Sequence, residues 1–91
     1  MNTEIDVLEK VNVKEQYALN NEIVLYNDDY NTFDHVILTL MSVCEHTAEQ
    51  AEQCAILVHY KGKCTVKTGA MKDLVPKCLL LLDAGLSAEI V

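Results

Sequence analysis

Apolar residues recur along the chain at spacings that alternate between those of strands and those of helices. Residues 22–26 form a short β-branched and aromatic run that predicts a strand, which ends at the polar triplet 27–29. Asn31 or Thr32 then caps a helix, because the apolar positions that follow have the spacing of one helical face. These positions are Phe33, Val36, Ile37, Leu40, Met41 and Cys44.

A second helix and a second strand follow. Segment 47–50 reads Thr-Ala-Glu-Gln, a capping box in which the first and last side chains satisfy each other's backbone N–H groups. It predicts a helix that runs to about Tyr60, and Lys61 and Gly62 are typical of a helix C-terminus. Residues 63–68 alternate between apolar and polar side chains and therefore predict a strand.

The last part of the chain predicts a third helix and a closing strand. Pro76 would break a helix that began at Ala70, so we expect Asp73 to be the N-cap, which puts the proline in the first turn. The helix then runs to about Ala84, and its Leu-Leu-Leu-Leu run is apolar all round, so more than one face should be covered. Residues 86–91 close as a strand. The order β-α-α-β-α-β predicts one small sheet with helices packed against it.

All of the predicted helices and strands belong to one domain. Residues 1–20 have no sustained period, so we expect a flexible N-terminal arm ahead of a domain at 21–91. No apolar run approaches the roughly 18–20 residues of a membrane span. The first ten residues include acids and lack the apolar stretch of a secretory signal. We therefore expect a cytoplasmic protein without a membrane segment.

The four cysteines are too widely spaced to suggest a metal site. None forms a C-x-x-C or C-x-x-H pair, so the sequence does not support zinc binding. Disulfides are disfavoured in a chain with no export signal. We expect free thiols that act as small core hydrophobes, and no metal or cofactor.

Charge is unevenly distributed along the chain. The formal net charge is −7, and the chain contains no arginine. Residues 21–59 hold acids but no lysine, whereas five of the seven lysines fall within residues 60–77. An acidic chain of this kind is a poor nucleic-acid binder, so we exclude that class of partner. The asymmetry suggests one face for cations and another for a different partner, although a solvated surface would have the same composition.

The triplet Asn27-Asp28-Asp29 has two interpretations. Asn and Asp suit turns and helix starts, so an Asx-turn that leads into a helix cap explains it without any ligand. Alternatively, two acids and an amide converge on a cationic group. An EF-hand calcium loop starting at Asp29 fails, because Leu40 stands where the bidentate glutamate belongs.

Two further features concern the predicted second helix. His59, near its end, is a dipole partner or a ligand-binding group. A hydrolase would need a nucleophile beside His59 and an oxyanion loop, and neither has a sequence signal. The inner faces of the first two helices carry small or apolar residues, which form ordinary core or leave room for a guest side chain. These residues are Val36, Thr39, Ala55 and Val58.

Two of these segments together resemble the ClpS family, adaptors of the ATP-dependent Clp protease. They are IVLYNDDYNTFDHV, residues 23–36, and AILVHYKGK, residues 55–63. The resemblance implies an α+β sandwich in which a three-stranded antiparallel sheet packs with three helices, similar to the C-terminal domain of the ribosomal stalk protein. It also implies a monomeric, non-enzymatic adaptor that binds proteins with bulky hydrophobic N-terminal residues (N-degrons) and delivers them to a Clp unfoldase. The alternative is a module of the same fold that docks on a partner without reading a free N-terminus.

The resemblance also implies roles for individual residues. The α-amino group of the substrate would be bound by Asn27, Asp28 and His59. Its peptide backbone would be bound by Asp29 and Asn31. Its first side chain would enter a hydrophobic pocket lined by Phe33, Val36, Thr39, Ala55, Val58 and Leu86. The surface around Lys77 would face the N-terminal domain of a ClpA- or ClpC-type unfoldase.

Four positions depart from the family pattern. Phe33 replaces the methionine that follows the Asn-Asp-Asp-Tyr motif in the family, and Ala55 stands where methionine is common. Either change would alter the preference among Leu, Phe, Tyr and Trp. Lys72 and Pro76 depart from the pattern of the unfoldase-facing segment.

Overall fold

The structure is a computed structural model in which residues 20–91 are described. The predicted arm therefore lies outside the described residues, apart from Asn20. The six elements follow in the predicted order, and they are β1 (Asn21–Tyr26), α1 (Phe33–Val43), α2 (Ala48–Lys61), β2 (Lys63–Gly69), α3 (Met71–Asp83) and β3 (Ser87–Ile90).

The three strands form one antiparallel sheet in which β1 lies in the centre, between β2 and β3. Tyr26, at the end of β1, pairs with Lys63 on one side and with Ser87 on the other. The register of the β1–β2 pair shifts between Ile23 and Val24, as expected at a β-bulge. The polar triplet therefore leaves the sheet from its central strand, which is held on both sides.

All three helices contribute to one core against the sheet. The largest fully buried side chains are Ile23, Leu25, Leu40, Leu74, Leu81 and Cys44. All four cysteines are free, as predicted; Cys44 and Cys78 are buried, and Cys54 and Cys64 are partly buried. Burial, together with the neighbouring Cys64 thiol, raises the pKa of Cys54 to about 12, so this thiol stays protonated.

The ends of α1 and α2 follow their sequence signals. Thr32 is the N-cap of α1, and its hydroxyl accepts a hydrogen bond from the backbone N–H of His35 at 3.1 Å. The capping box of α2 is complete, with 3.2 Å from Gln50 N to Thr47 Oγ1 and 3.0 Å from Thr47 N to Gln50 Oε1. Gly62 ends α2 with a φ of 91°, a left-handed conformation that glycine adopts without strain.

The predicted start of α3 was wrong. The helix begins at Met71 with Ala70 as its N-cap, and Asp73 lies inside the first turn. Pro76 is consequently within the helix rather than in its first turn. The reason is packing: Ala70 and Leu74 are each only 1% exposed, so core burial fixes the first turn. Tertiary burial here outweighs the local cost of a proline that has no N–H to donate.

The outward face of α3 also differs from the prediction. We expected the Leu-Leu-Leu-Leu run to be covered on more than one face, but only Leu81 is buried. The exposed large apolar residues of α3 are Val75, Leu79, Leu80 and Leu82, at 40%, 59%, 53% and 47%. No helix in the described part of the chain is long and apolar enough to cross a membrane.

Candidate functional site

The polar triplet forms a corner between β1 and α1 that is organised around Asp28. Asp28 Oδ1 accepts hydrogen bonds from the backbone N–H groups of Tyr30 and Asn31, both at 2.9 Å. Asp28 Oδ2 accepts a third hydrogen bond from Asn31 Nδ2 at 2.7 Å. The Asx-type turn of the simpler interpretation is therefore present, and Asp28 is its centre.

The same contacts keep Asp28 ionised. Partial burial raises the pKa of its carboxyl, but hydrogen bonds from Asn31, Tyr30 and Ser87 lower it by more, so that the pKa lies below its ordinary value. Hydrogen bonds to a carboxylate favour its charged form. The corner therefore carries a negative charge at its centre at neutral pH.

Asn27 and Asp29 differ from Asp28 in having open side chains, that is, exposed side chains whose polar atoms have no partner within residues 20–91. Both are exposed, and within residues 20–91 neither side chain makes a hydrogen bond or an ion pair. The backbone N–H of Asn27 donates to the Gly62 carbonyl at 3.0 Å, which ties the corner to the end of α2. The corner thus offers an amide oxygen and a carboxylate that can accept hydrogen bonds from a ligand.

His59 faces this corner from the last turn of α2. Its ring is exposed and lies 5.3 Å from the ring of Phe33, centroid to centroid, with the planes tilted by 55°. On its other side it makes an edge-on contact with Tyr60 at 4.8 Å. Phe33 is the first residue of α1, so this ring pair bridges the start of α1 and the end of α2.

A cavity of about 330 Å³ lies between the corner and the two helices. It is lined by Asn27, Asp28, Asp29, Asn31, Thr32, Phe33, Ala55, Val58 and His59. Eight of these were predicted as site residues. Thr32 was not, because its cap signal accounted for it fully at the sequence level.

Three predicted pocket residues do not line this cavity. Leu86 is 3% exposed and belongs to the core, and Val36 packs against that core. Thr39 is also buried, at 9% exposed. The structure therefore brings eight of the predicted residues around one cavity and places Val36, Thr39 and Leu86 in or against the core. Helical spacing could not separate pocket from core at Val36 and Thr39, because pocket and core residues share the inner face of α1, and Leu86 lies outside the helices.

Lys77, predicted to face an unfoldase, is held by contacts within the chain. Its ammonium donates to the Val43 carbonyl at 3.2 Å and pairs with Glu45 at 3.3 Å. The Lys77 side chain is 24% exposed. Lys77 therefore ties α3 to the C-terminal end of α1.

A second cavity, of about 450 Å³, lies at that end of α1. His46 Nε2 lies 2.6 Å from the Val66 carbonyl, and Lys67 Nζ lies 3.5 Å from the Cys44 carbonyl. The lining residues are Cys44, Glu45, His46, Gln50, Thr65, Val66, Lys67 and Thr68. Lys67 thus satisfies a carbonyl at the end of α1, whereas the buried His46 Nδ1 has no hydrogen-bond partner within the described residues.

Comparison with known proteins places the chain in a family. The family described as "ATP-dependent Clp protease adaptor protein ClpS" matches residues 5–89. The chain belongs to the ClpS family. A ClpS adapter protein from Thermosynechococcus vestitus is 32% identical over 80 residues, which cover 87% of this chain and 85% of that protein. A ClpS adapter protein from Treponema denticola is 31% identical over 66 residues, which cover 72% of this chain and 65% of that protein.

The ClpS match reaches all six elements and ends within β3, and it confirms the family and the adaptor role predicted from the two sequence motifs. Among solved structures, ClpS2 of Agrobacterium tumefaciens, bound to L-phenylalaninamide, has a TM-score of 0.74 and 19% sequence identity. The comparison covers 78% of this chain and 93% of ClpS2. It confirms the predicted α+β fold, with its three helices and three-stranded antiparallel sheet.

Proposed function

We propose that this chain recognises the free, hydrophobic N-terminal residue of a substrate protein and delivers that protein to a Clp unfoldase. The observation that supports the proposal most strongly is the composition of the 330 Å³ cavity. It combines open oxygen acceptors from Asn27 and Asp29 with the rings of Phe33 and His59. A protein N-terminus has the complementary chemistry, because an ammonium with three donors lies next to an apolar side chain.

We assign the α-amino group to Asn27, Asp28 and His59. Asn27 offers an unoccupied amide oxygen, and a neutral imidazole offers one acceptor nitrogen. Asp28 already accepts three hydrogen bonds from its own corner, so its contribution is mainly its negative charge. The hydrogen bonds that an ammonium donates to Asn27 and His59 are charge-assisted, and such bonds are about twice as strong as neutral ones.

The peptide backbone after the first residue is assigned to Asp29 and Asn31. The Asp29 carboxylate is open toward the cavity. Both N–H groups of the Asn31 amide have partners, Asp28 at 2.7 Å and the Gly85 carbonyl at 2.9 Å. The amide oxygen of Asn31 therefore remains as an acceptor for a peptide N–H.

The first side chain of the substrate is assigned to the apolar wall made by Phe33, Ala55 and Val58. The cavity volume is near the lower end of the range for ligand pockets, roughly 300–1,000 Å³. L-phenylalaninamide, which ClpS2 of Agrobacterium tumefaciens binds, has a free α-amino group and a benzyl side chain. We expect Phe33, 41% exposed, to move aside when such a side chain enters. The substrate side chain would then reach Val36, Thr39 and Leu86.

We further propose that the chain is a monomeric cytoplasmic adaptor without catalytic activity of its own. Within residues 20–91, no serine or cysteine is hydrogen-bonded to His59, whose ring contacts are Phe33 and Tyr60. Cys54, the cysteine closest to His59 along α2, has a pKa of about 12 and is a poor nucleophile.

We infer that the partner, the N-terminal domain of a ClpA- or ClpC-type unfoldase, docks on α3 around Lys77. Lys77 itself is largely engaged within the chain, but the adjacent outward face of α3 exposes Val75, Leu79 and Leu82. Exposed apolar patches of this kind mark protein interaction surfaces. Leu79→Glu should weaken unfoldase binding and leave peptide affinity unchanged.

The test is a pair of dye-labelled peptides that begin with Phe and differ only in N-acetylation, titrated with the protein and followed by fluorescence anisotropy. The free-amine peptide should bind and its acetylated twin should not. Equal affinity for the two peptides would refute recognition of the N-terminus and favour the module that docks without reading it. Peptides beginning with Leu, Tyr and Trp then rank the pocket's preference.

A further inference from the structure

The corner that carries the proposed amino-group site is fastened to the turn between α3 and β3. Asn31 Nδ2 donates to the Gly85 carbonyl at 2.9 Å, and His35 Nε2 donates to the Ala84 carbonyl at 2.8 Å. A carbonyl only accepts, so the proton of the His35 ring in this contact is on Nε2. A hydrogen bond between Asp28 and Ser87 adds a third connection.

The contact with Ala84 uses an acceptor that the end of a helix leaves free. The last carbonyls of an α-helix have no partner within the helix, and they carry its negative partial charge. Ala84 is the C-cap of α3, and Gly85 follows it with a φ of 88°. The adjacent Leu86 is 3% exposed, so this turn is anchored in the core. It therefore offers the corner a fixed pair of acceptors.

His35 acts on the site from outside. It is the third residue of α1 and is not among the residues that line the 330 Å³ cavity. Asn31 connects the cavity to the turn after α3. Its side-chain amide donates to Asp28 Oδ2 and also to the Gly85 carbonyl. Fixing the start of α1 with His35 therefore fixes the position from which Asn31 holds Asp28.

We propose that His35 is a positioning residue, which sets the affinity for a free N-terminus by clamping the corner to the Ala84 carbonyl. The inference rests on the proposed function, since it concerns the geometry of that same site. Without the hydrogen bond from His35, the corner has more conformational freedom in the unbound protein. That freedom is lost when a ligand binds, and the entropic cost weakens binding.

The test compares three variants by the anisotropy titration with the free-amine and acetylated peptides. His35→Leu removes the donor, and we expect it to weaken binding of the free-amine peptide about three- to tenfold, the range for one neutral hydrogen bond. His35→Gln retains an N–H group at the end of its side chain and should restore most of the affinity. His46→Leu is the matched control, because it removes a histidine bond to the Val66 carbonyl at the other end of α1. It should leave peptide affinity unchanged.

A second readout separates positioning from general stability. The backbone N–H groups of Tyr30 and Asn31 are held by Asp28 Oδ1, so their hydrogen exchange reports the corner directly. His35→Leu should accelerate exchange at these two amides, and His46→Leu should not.

The inference is overturned if His35→Leu binds like the wild type, if His35→Gln fails to recover affinity, or if His46→Leu weakens binding equally. The proposed function fails in a different way, namely if the wild-type protein binds the acetylated and free peptides alike.

Discussion

The two ends of α1 are built from similar parts. Each has a polar cavity, of about 330 Å³ at the N-terminal end and about 450 Å³ at the C-terminal end. Each also has a histidine that bonds a backbone carbonyl, at 2.8 Å for His35 and 2.6 Å for His46. Their volumes alone would not indicate which end binds a ligand.

They differ in whether their charged side chains already have partners within the chain. At the C-terminal end, Lys67 and Lys77 reach the carbonyls that α1 leaves free, and Glu45 pairs with Lys77. At the N-terminal end, Asp28 is used internally, whereas Asn27 and Asp29 remain open. The larger cavity is thus the one whose charges are satisfied. An open carboxylate, that of Asp29, rather than volume, distinguishes the candidate site.

The largest expected difference between the two ends concerns their acids. Asp28→Ala should weaken binding of a free-amine peptide by about 1.5–3 kcal/mol, because it removes a charged hydrogen-bonding group and loosens the corner. Glu45→Ala, at the other end of α1, should leave the dissociation constant unchanged. Calorimetric titration of both variants checks the pair. If the two substitutions had equal effects, the comparison between the ends would be wrong.

In contrast to Asp28, Lys77 should affect the stability of the fold and should not affect peptide affinity. Lys77→Met removes a cation from the C-terminal end of α1 and should lower the free energy of unfolding by about 0.5–1 kcal/mol. Lys63→Met is the control, since Lys63 is exposed on β2 and its side chain makes no hydrogen bond or ion pair within residues 20–91. Urea unfolding gives the stabilities. A loss of peptide affinity in Lys77→Met would contradict the separation of the two ends.

Substitution of Glu45 should have a smaller effect, and it should stabilise the fold rather than destabilise it. Its φ of 59° makes it the only non-glycine residue with positive φ in the described part of the chain. Glu45→Gly should relieve this conformation and stabilise the fold by about 0.5 kcal/mol, after allowance for the greater freedom of glycine in the unfolded chain. The midpoint of urea unfolding measures the change. A lower midpoint would mean that the Glu45–Lys77 pair outweighs the backbone strain.

The smallest expected effect is the pH dependence of stability at the corner. The pKa of Asp28 is lower in the folded protein than its ordinary value, so Asp28 stabilises the fold above its unfolded pKa. That contribution is lost as the pH falls through the folded pKa. The melting temperature of the wild type should therefore exceed that of Asp28→Asn at neutral pH, and the difference should disappear in acid. Asp29→Asn, which alters no hydrogen bond of the corner, should show no such trend.

Local signals in the sequence predicted most of the fold. The capping box at Thr47, the glycine at 62 and the helical spacing of α1 act over a few residues, and all of them correspond to the observed elements. The start of α3 was wrong because the burial of Ala70 is a property of the whole core. The α3 end of the corner clamp was also invisible, since the Ala84 carbonyl carries no sequence signal.

The candidate site, like the fold, was only partly predictable from the sequence. The motif resemblance brought together the polar corner, Phe33 and His59, and the structure places these around one cavity. It could not separate pocket from core at Val36, Thr39 and Leu86, because all three have the residue types of either environment. The roles of the individual side chains toward a ligand remain predictions.

The clamp from the corner to Ala84, Gly85 and Ser87 has a consequence for the order of events during synthesis. The corner leaves the ribosome more than 50 residues before the turn that fastens it, and β1 must wait for β3 to pair on its second side. A nascent chain therefore cannot complete the proposed amino-group site until almost all of the domain has emerged. We therefore expect no substrate capture by a chain that is still being translated, and a chain truncated before residue 84 should not bind a free-amine peptide even if its first two helices form.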